Sequence, residues 1–383
     1  MPGFSFLDSF DFSKDTSLYI HVPFCTSKCS YCAFYSVPCP NETDMDLYTE
    51  RLVKEIAEAN GRMNGRPYVT AFIGGGNPGC LGPERLGRIA EAVCANGRPS
   101  EFSTEMNPES LSECFFPLFS KYFTRLSMGV QSLDSKALSF LGRNSDLEST
   151  LRGLKLSQTL HARCGTDLSY DLICCLGSWH DDLSDVRRIV FEYPSDHLSV
   201  YALTLEEGTP LCRRKPNLPD SDEQYEILKG IWDYLEAEGF EHYEVSNFAR
   251  NSKRCLHNCR YWAYEQYIGL GPAAASTAFS DDGSVTRFTC GPSVKDYNSG
   301  NPFTGYEGER LSEREALEEL VLMGLRYKDG LDLKRLEKMA HKGLDLDGLG
   351  RIEGFEVEGW FLVPDDEGLM TADAASQRIV DML

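Results

Sequence analysis

Three cysteines lie close together near the start of the chain, within the segment YIHVPFCTSKCSYCAF at residues 19–34. Cys25, Cys29 and Cys32 follow a short apolar run with the spacing CxxxCxxC. Three thiolates on one loop can bind three irons of a cubane, and the fourth iron then has no protein ligand. The spacing therefore predicts a 4Fe-4S cluster with one iron open to a small molecule.

An open iron of this kind can be chelated by the amino and carboxylate groups of S-adenosylmethionine (SAM). Electron transfer from the reduced cluster to the sulfonium then breaks a carbon–sulfur bond and gives methionine and a 5'-deoxyadenosyl radical. Tyr31, beside the last cysteine, is expected either to lie against the adenine or to pack as an ordinary buried ring. The alternative interpretation is a structural zinc site with His21 or Cys39 as fourth ligand, although such sites usually show two separated CxxC pairs.

Glycines and polar residues follow the predicted strands where barrel enzymes bind their ligands. Gly74, Gly75, Gly76 and Asn77 follow the second strand, where bare backbone can approach a ligand closely. Carboxylates and amides suit ribose hydroxyls, and an arginine suits the SAM carboxylate. The glycines also satisfy GxGxxG, a dinucleotide-binding alternative, but Pro78 interrupts it and the cysteine loop is then unexplained. The side chains at the later strand ends are Glu105, Gln131, Arg143 and Asp171.

Short apolar runs alternate with amphipathic stretches through the first half of the chain. The runs at 18–22, 69–73, 102–105, 125–130, 168–174 and 197–203 are predicted strands. Helices are predicted between them at 46–59, 83–95, 146–160 and 181–191. This alternation predicts an α/β fold with parallel strands, either doubly wound or barrel-like.

The pattern changes in the second half of the chain. A predicted helix at 221–238 is followed by short strands with Gly and Pro turns, and then by predicted helices at 312–326 and 331–341. The segment 353–369 resembles a strand pair, and a last helix is predicted at 372–382. We therefore predict a core domain at 1–215 and a smaller domain at 216–383.

Composition excludes several classes of protein. The 59 acidic residues outnumber the 38 basic ones, and the net charge of -21 disfavours nucleic acid and anionic lipid as partners. The first residues do not read as a signal peptide, and no apolar run is long enough for a transmembrane segment, so a cytoplasmic protein is expected. Fourteen cysteines in such a chain favour reduced thiols and metal ligation over a disulfide framework.

The motifs resemble those of the oxygen-independent coproporphyrinogen III oxidases and their relatives among radical SAM proteins. The resemblance spans most of the chain and rests on LYIHVPFCTSKCSYCAF, AFIGGGNP, STEMNPESL, RLSMGVQSLD, YDLI, HLSVYALTLEEGTPL, YEVSNFAR, HNCRYW and YIGLG. It implies an open (β/α)6 partial TIM-type barrel with a C-terminal α+β, winged-helix-like part. It also implies SAM contacts at Tyr19, Gly75, Gly76, Asn77, Glu105, Gln131, Arg143 and Asp171.

Within that family the chain is more similar to the heme chaperone (HemW-type) branch than to the oxidases. The oxidases carry a further cysteine two positions after the third, where this chain has Phe34, and a longer segment before the residue that matches Tyr19. The sequence departs from the branch at several positions. Asn77 stands where Thr is usual, Ala33 replaces an acidic residue, Leu176-Gly177-Ser178 lacks a proline, and Ala275 replaces a histidine.

The HNCRYW segment matches the HNxxYW motif that is associated with heme binding in the chaperone branch. His257, Asn258, Tyr261 and Trp262 carry the match. The resemblance implies heme as a further cofactor, with the His257 imidazole on the iron and the two aromatic rings against the macrocycle. The flanking Cys255 and Cys259 are alternative ligands. Apart from the resemblance, a histidine beside aromatic residues is more often structural.

The resemblance implies a heme-binding radical SAM protein that delivers heme to acceptor hemoproteins, including those of respiratory chains, and needs a reductant for its cluster. The alternative is an oxygen-independent coproporphyrinogen III oxidase, which acts on a porphyrinogen by radical oxidative decarboxylation of propionate side chains. A third possibility is a radical enzyme that acts on another substrate, such as heme itself.

Overall fold

The computed structural model describes residues 6–280 and 283–383. Its strands are β1 (Ser17–Val22), β2 (Phe24–Cys25), β3 (Val37–Pro38), β4 (Thr70–Gly75), β5 (Glu101–Met106), β6 (Arg125–Gln131), β7 (Asp167–Cys174), β8 (His197–Ala202), β9 (Glu241–His242), β10 (Asn247–Ala249), β11 (Tyr267–Leu270), β12 (Ala275–Phe279), β13 (Val285–Cys290), β14 (Tyr306–Arg310), β15 (Leu331–Asp332), β16 (Phe355–Glu358) and β17 (Phe361–Pro364). Its helices are α1 (Glu42–Arg62), α2 (Gly82–Val93), α3 (Phe116–Lys121), α4 (Ser135–Leu141), α5 (Leu147–Cys164), α6 (Asp182–Glu192), α7 (Pro210–Arg214), α8 (Ser221–Ala237), α9 (Leu256–Trp262), α10 (Val294–Ser299), α11 (Glu313–Gly324), α12 (Leu333–Ala340), α13 (Leu346–Leu349) and α14 (Asp366–Met382).

Six parallel strands form the centre of the main sheet and confirm the predicted α/β fold. β1, β4, β5, β6, β7 and β8 are neighbours in that order, and each neighbouring pair is parallel. The predicted bounds of these strands agree with the observed ones to within two residues. Helices follow the strands, as in an open (β/α)6 barrel, so all six carboxyl ends lie at one mouth.

Polar residues begin the helices that surround the sheet. Asn41, Asp134, Asp146 and Asp181 cap α1, α4, α5 and α6 by accepting hydrogen bonds from backbone N–H groups of the first turn. These caps satisfy donors that have no partner within the helix. No helix among residues 6–280 and 283–383 is both long and apolar enough to cross a bilayer.

Strands from the second half of the chain extend the same sheet at both edges. β11 pairs in parallel with β1, and β12, β13 and β14 continue outward in antiparallel pairs. At the other edge β10 pairs antiparallel with β8, and β9 follows it. The main sheet therefore contains twelve strands among the described residues, and six of them come from beyond residue 215.

The hydrophobic cores divide the chain later than the predicted boundary at 215/216. One core spans the sheet and includes Ile231, Phe248 and Tyr297, all of which lie beyond that boundary. A second core is built mainly from α11 to α14 and the small sheet β15-β17-β16. That helical and three-stranded unit corresponds to the predicted α+β, winged-helix-like part. It begins near Leu311 because β9 to β14 complete the barrel sheet first.

Candidate functional site

A cavity of about 400 Å³ opens at the carboxyl end of the barrel strands. Its volume is in the range of pockets that enclose small-molecule ligands. Most of the residues predicted to bind a cluster and SAM meet in this cavity. Those that line it are Cys25, Cys29, Tyr31, Cys32, Gly75, Gly76, Glu105, Gln131, Arg143 and Asp171.

Backbone hydrogen bonds fix the cysteine loop at its ends and in its middle. β2 and β3 pair in parallel, and the N–H of Cys39 donates to the carbonyl of Cys25 at 3.0 Å. Ser30 donates to the carbonyl of Leu141 at 2.9 Å and accepts from the N–H of Leu211 at 2.8 Å. The loop is therefore held against the carboxyl-end loops of the barrel, with the three thiols at the cavity wall.

The spacing of the thiols fits a cluster better than a single zinc ion. Tetrahedral zinc with Zn–S bonds of about 2.3 Å holds its sulfurs within about 4 Å of one another. Among the described residues, three or more potential donor atoms lie within 4.8 Å of one another only in the group Glu236, His242 and Asp366. His21, the proposed fourth zinc ligand, contacts the Tyr19 hydroxyl at 2.9 Å and the Tyr35 carbonyl at 3.0 Å through its two nitrogens. Because the three cysteine sulfurs do not form such a group, they lie too far apart for one tetrahedral zinc ion.

The glycine-rich turn after β4 can lie directly against the cysteine loop because its glycines have no side chains. A Cβ at Gly76 would lie 2.7 Å from the carbonyl oxygen of Phe24 and 3.0 Å from the Cys25 sulfur. Gly75 has φ +110°, and a Cβ there would lie 2.7 Å from the His21 ring. Asn77 does not line the cavity. Its buried side chain donates to Ser110 Oγ at 2.6 Å and holds the turn.

Two carboxyl groups line the cavity. Glu105 accepts a hydrogen bond from the N–H of Gly75 at 3.1 Å, and Asp171 accepts one from Ser127 Oγ at 3.1 Å. Burial raises the pKa of Glu105 to about 8, and the charge of Asp171 adds to the shift. Burial also raises the pKa of Asp171 to about 6. Near neutral pH these groups can accept hydrogen bonds from ribose hydroxyls or donate hydrogen bonds to them.

The raised pKa of Glu105 predicts a loss of stability as the pH rises. The folded chain keeps a proton on Glu105 up to about pH 8, whereas the ordinary pKa of a glutamate side chain is 4.5. Because the folded state then binds more protons, the free energy of unfolding falls with pH in this window, by at most about 1.4 kcal/mol per pH unit. The Glu105→Gln variant should flatten this fall between pH 6 and 8, as measured by anaerobic thermal unfolding.

The matched variant for this test is Asp171→Asn. Asp171 titrates at about 6 in the folded chain, so its replacement should change the pH dependence mainly below that pH. An unchanged fall between pH 6 and 8 in Glu105→Gln would show that another group binds the proton.

Arg143 places a buried cation beside the cysteine loop. Its Nη2 donates to the carbonyl of Gly129 at 2.6 Å and to Asn107 Oδ1 at 3.2 Å, and its Nη1 lies 3.5 Å from the Cys29 sulfur. Its Nε is buried and has no hydrogen-bond partner among the described residues, and the residue itself lines the cavity. This cation can bind a ligand carboxylate near the cluster loop. Asn107 was not predicted as a residue of this site. It directly follows β5, and its position resembles that of Gln131 at the end of β6.

The HNCRYW segment lies in α9 and closes the amino end of the barrel, opposite the cavity. We call this segment, residues 255–262, the barrel floor. The carboxylate of Glu101 at the start of β5 accepts hydrogen bonds from the N–H groups of Leu256 and His257, each at 3.0 Å. It also pairs with Arg125 Nε at 3.2 Å. A buried acid therefore binds the amino end of this helix, where a negative charge is favourable.

The predicted heme residues lie on different faces of the barrel floor. His257 is buried, and its nitrogens contact Thr70 Oγ1 at 2.8 Å and the Tyr261 hydroxyl at 2.9 Å. Burial lowers the pKa of His257 to about 3, so the ring is neutral. Both residues, with Tyr19, line a chamber of about 200 Å³ inside the barrel. Trp262 instead packs with the buried Tyr243 and Tyr327. The structure does not bring the three heme residues together, and the heme site stays a prediction.

Comparison with known proteins agrees with the geometry of the cavity. A family model described as the Radical SAM superfamily matches residues 19–169. The solved structure titled "Coproporphyrinogen III oxidase (HemN) from Escherichia coli is a Radical SAM enzyme" superposes with a TM-score of 0.78. It shares 21% identity, and the match covers 99% of this chain and 93% of that one. At this identity the similarity shows a common fold over nearly the whole chain.

Sequence similarity to curated proteins is closer than to this structure. The heme chaperone HemW of Mycobacterium tuberculosis (strain H37Rv) is 32% identical over 388 residues, covering 95% of this chain and 94% of that protein. The chain belongs to the HemW family of radical SAM proteins. Another member, the heme chaperone HemW of Escherichia coli (strain K12), is 33% identical over 279 residues and covers 71% of this chain and 73% of its own length.

Membership of the HemW family accounts for the cavity residues. Radical SAM proteins of this kind contain a 4Fe-4S cluster and bind SAM. The residues present fit both groups, because the three thiols are spread too widely for one metal ion and the glycine turn leaves room beside Cys25. Arg143 lines the same cavity with its Nη1 3.5 Å from the Cys29 sulfur, where a guanidinium suits a ligand carboxylate.

Proposed function

We propose that this member of the HemW family binds a 4Fe-4S cluster, SAM and heme, and delivers heme to acceptor hemoproteins. The observation that carries the proposal is the meeting of three thiols, two carboxyl groups and a buried arginine in one cavity. Cys25, Cys29 and Cys32 would hold the cluster. Bound there, the cluster and SAM supply reductive cleavage of a carbon–sulfur bond.

The residues of the chain prepare the cavity for SAM. Gly75 and Gly76 leave backbone exposed beside the cysteine loop, and the buried Arg143 offers its guanidinium to the methionyl carboxylate. Glu105 and Asp171 receive the ribose hydroxyls. Tyr31 also lines this cavity, which supports the proposal that it lies against the adenine.

Heme delivery is supported by the names of the two relatives and by the HNCRYW segment. Phe34, which stands where the oxidases carry a further cysteine, is 71% exposed at the rim of the cavity. Ligation of heme iron by His257 requires the barrel floor to release the bonds to Thr70 and Tyr261. We place the protein in the cytoplasm, because its 14 free cysteines and a low-potential cluster suit a reducing compartment.

The test is anaerobic reconstitution of the whole chain with iron and sulfide, followed by titration with SAM and then with heme. We expect about four irons per chain and a change in the electron paramagnetic resonance (EPR) spectrum of the reduced cluster when SAM binds. Heme should bind stoichiometrically and transfer to an apo-hemoprotein. Conversion of coproporphyrinogen III to protoporphyrinogen, or heme destruction coupled to 5'-deoxyadenosine release, would contradict the chaperone function.

The ligand arm of the test compares two variants that both break the hydrogen bond between Thr70 and His257. His257→Ala removes the imidazole, whereas Thr70→Val removes only its hydrogen-bond partner. Loss of heme in the first variant alone would support ligation by His257. Equal loss in both variants would show that heme binding depends on the intact barrel floor and not on this ligand.

A further inference from the structure

Gln131, at the cavity wall, has a backbone conformation that is unusual for its residue type. Its φ is +67°, in the left-handed region that non-glycine residues rarely adopt. The register between β6 and β7 also shifts between Gly129 and Gln131. This conformation turns the last residue of β6 to a cavity-lining position. Since such a residue is strained, neighbouring groups must hold it in place.

The neighbouring group is the carboxylate of Asp185, in the first turn of α6. Its Oδ2 accepts a hydrogen bond from the N–H of Leu133 at 3.0 Å and another from the hydroxyl of Ser132. Asp185 is 7% exposed, and Ser132 is fully buried. The two residues that directly follow Gln131 are therefore tied to one buried acceptor on another element.

His180 and Asp182 complete a buried cluster around this carboxylate. His180 Nε2 lies 3.2 Å from Asp185 Oδ2 and 3.7 Å from Asp182 Oδ1. Asp182 in turn accepts from the N–H of Cys175 at 3.0 Å, and Cys175 is a second left-handed residue, with φ +64°. Although burial opposes it, the two carboxylates raise the pKa of His180. The first turn of α6 thus holds the turns after both β6 and β7.

We propose that Asp185 is a positioning residue for SAM binding, and that it acts by holding Gln131 in its left-handed conformation. The inference rests on the proposed function of the cavity. Asp185 is not one of the described residues that line this cavity. Its effect on SAM must therefore pass through the Ser132–Leu133 turn. His180 supports this role because its Nε2 lies 3.2 Å from the same carboxylate.

The test is a double-mutant cycle between Asp185→Asn and Gln131→Ala, with SAM titrated against the EPR signal of the reduced cluster. Each single variant should weaken SAM binding about tenfold, because Asp185→Asn replaces the charged acceptor of two buried hydrogen bonds by a neutral amide and Gln131→Ala removes the side chain at the cavity wall. The double variant should bind SAM no more weakly than Gln131→Ala alone, because Asp185 then has no side chain to position. A general loss of folding would instead weaken binding further.

Two controls keep the outcome decisive if Asp185→Asn folds poorly. Ser132→Ala removes one of the two hydrogen bonds to Asp185. It should weaken SAM binding by a smaller factor than Asp185→Asn does, and its effect should not add to that of Gln131→Ala. Asp181→Ala removes the cap of α6 on Ser184, without touching the β6 turn, and should leave SAM affinity unchanged. Additive effects, or unchanged SAM affinity in Asp185→Asn, would overturn the inference. If SAM does not change the EPR signal of the reduced cluster in the wild type, the proposed function is overturned as well.

Discussion

Replacement of Cys25, Cys29 or Cys32 by alanine is expected to abolish assembly of the 4Fe-4S cluster. The three thiols lie at the wall of one cavity, on a loop held by the β2–β3 pair and by Ser30. A cubane bound through only two thiolates lacks the ligation that retains it. Anaerobically reconstituted variants should therefore lose the iron and sulfide content, the EPR signal of the reduced cluster and SAM binding together.

The matched control is Cys39→Ala. Cys39 is also a free cysteine and ends the same loop, where its N–H donates to the carbonyl of Cys25. Its replacement should leave about four irons per chain and leave the response to SAM intact, because the proposed cluster uses three cysteines only. Loss of the cluster in Cys39→Ala would mean that a fourth side chain caps the open iron. Binding of one zinc per chain by the wild type would contradict the cluster itself.

Glu101→Ala is expected to lower the free energy of unfolding by about 3–5 kcal/mol, the cost of removing one partner from a buried ion pair. Glu101 is 5% exposed and Arg125 is 3% exposed. Without the carboxylate, Arg125 keeps a buried charge, and the N–H groups of Leu256 and His257 lose their acceptor. The barrel floor then loses its main link to β5 and β6. Thermal and urea unfolding of the reconstituted protein measure the loss.

The matched control for this prediction is Glu241→Ala. Glu241 pairs with Arg254, but its side chain is 51% exposed. Exposed ion pairs contribute about 0–1 kcal/mol, so this variant should unfold almost as the wild type does. Equal stability of Glu101→Ala and Glu241→Ala would show that the barrel floor is held by apolar packing and not by the buried carboxylate.

The two predictions concern opposite ends of one barrel. The cysteine loop lies at the carboxyl ends of the strands, whereas Glu101 and the HNCRYW segment lie at the amino ends. Glu105 and Asp171 line both the cavity at the carboxyl end of the strands and the chamber inside the barrel that His257 also lines. A disturbance of the barrel floor can therefore reach the proposed ribose-binding groups. We expect Glu101→Ala to weaken SAM binding as well as to lower stability.

Local patterns were sufficient to predict the six barrel strands, the helices that follow several of them and the residues of the cavity. Strand alternation, helix caps and the CxxxCxxC spacing depend on neighbours in sequence, so they can be recognised without a structure. The strand ends then predicted where Glu105, Gln131, Arg143 and Asp171 would lie. The structure brings all four to one cavity with the three cysteines.

Sequence patterns did not predict the contacts that join distant parts of the chain. β11 pairs with β1, and β10 pairs with β8, so the second half of the chain completes the barrel sheet. These strands are short, and their partners are set by burial and register rather than by any local signal. The domain boundary at 215/216 stays a prediction, and the main sheet and the first core both continue beyond it.

What the sequence by itself determined is the chemistry of the cavity, because the cluster motif and the strand ends are local features. Only the tertiary structure decided how that chemistry is supported. It placed His257 against Thr70 in the barrel floor, packed Trp262 with Tyr243 and Tyr327, and brought Asp185 beneath the turn that follows Gln131. Each of these contacts joins residues that are distant in sequence, and hydrogen-bonding groups buried in the same place must satisfy one another.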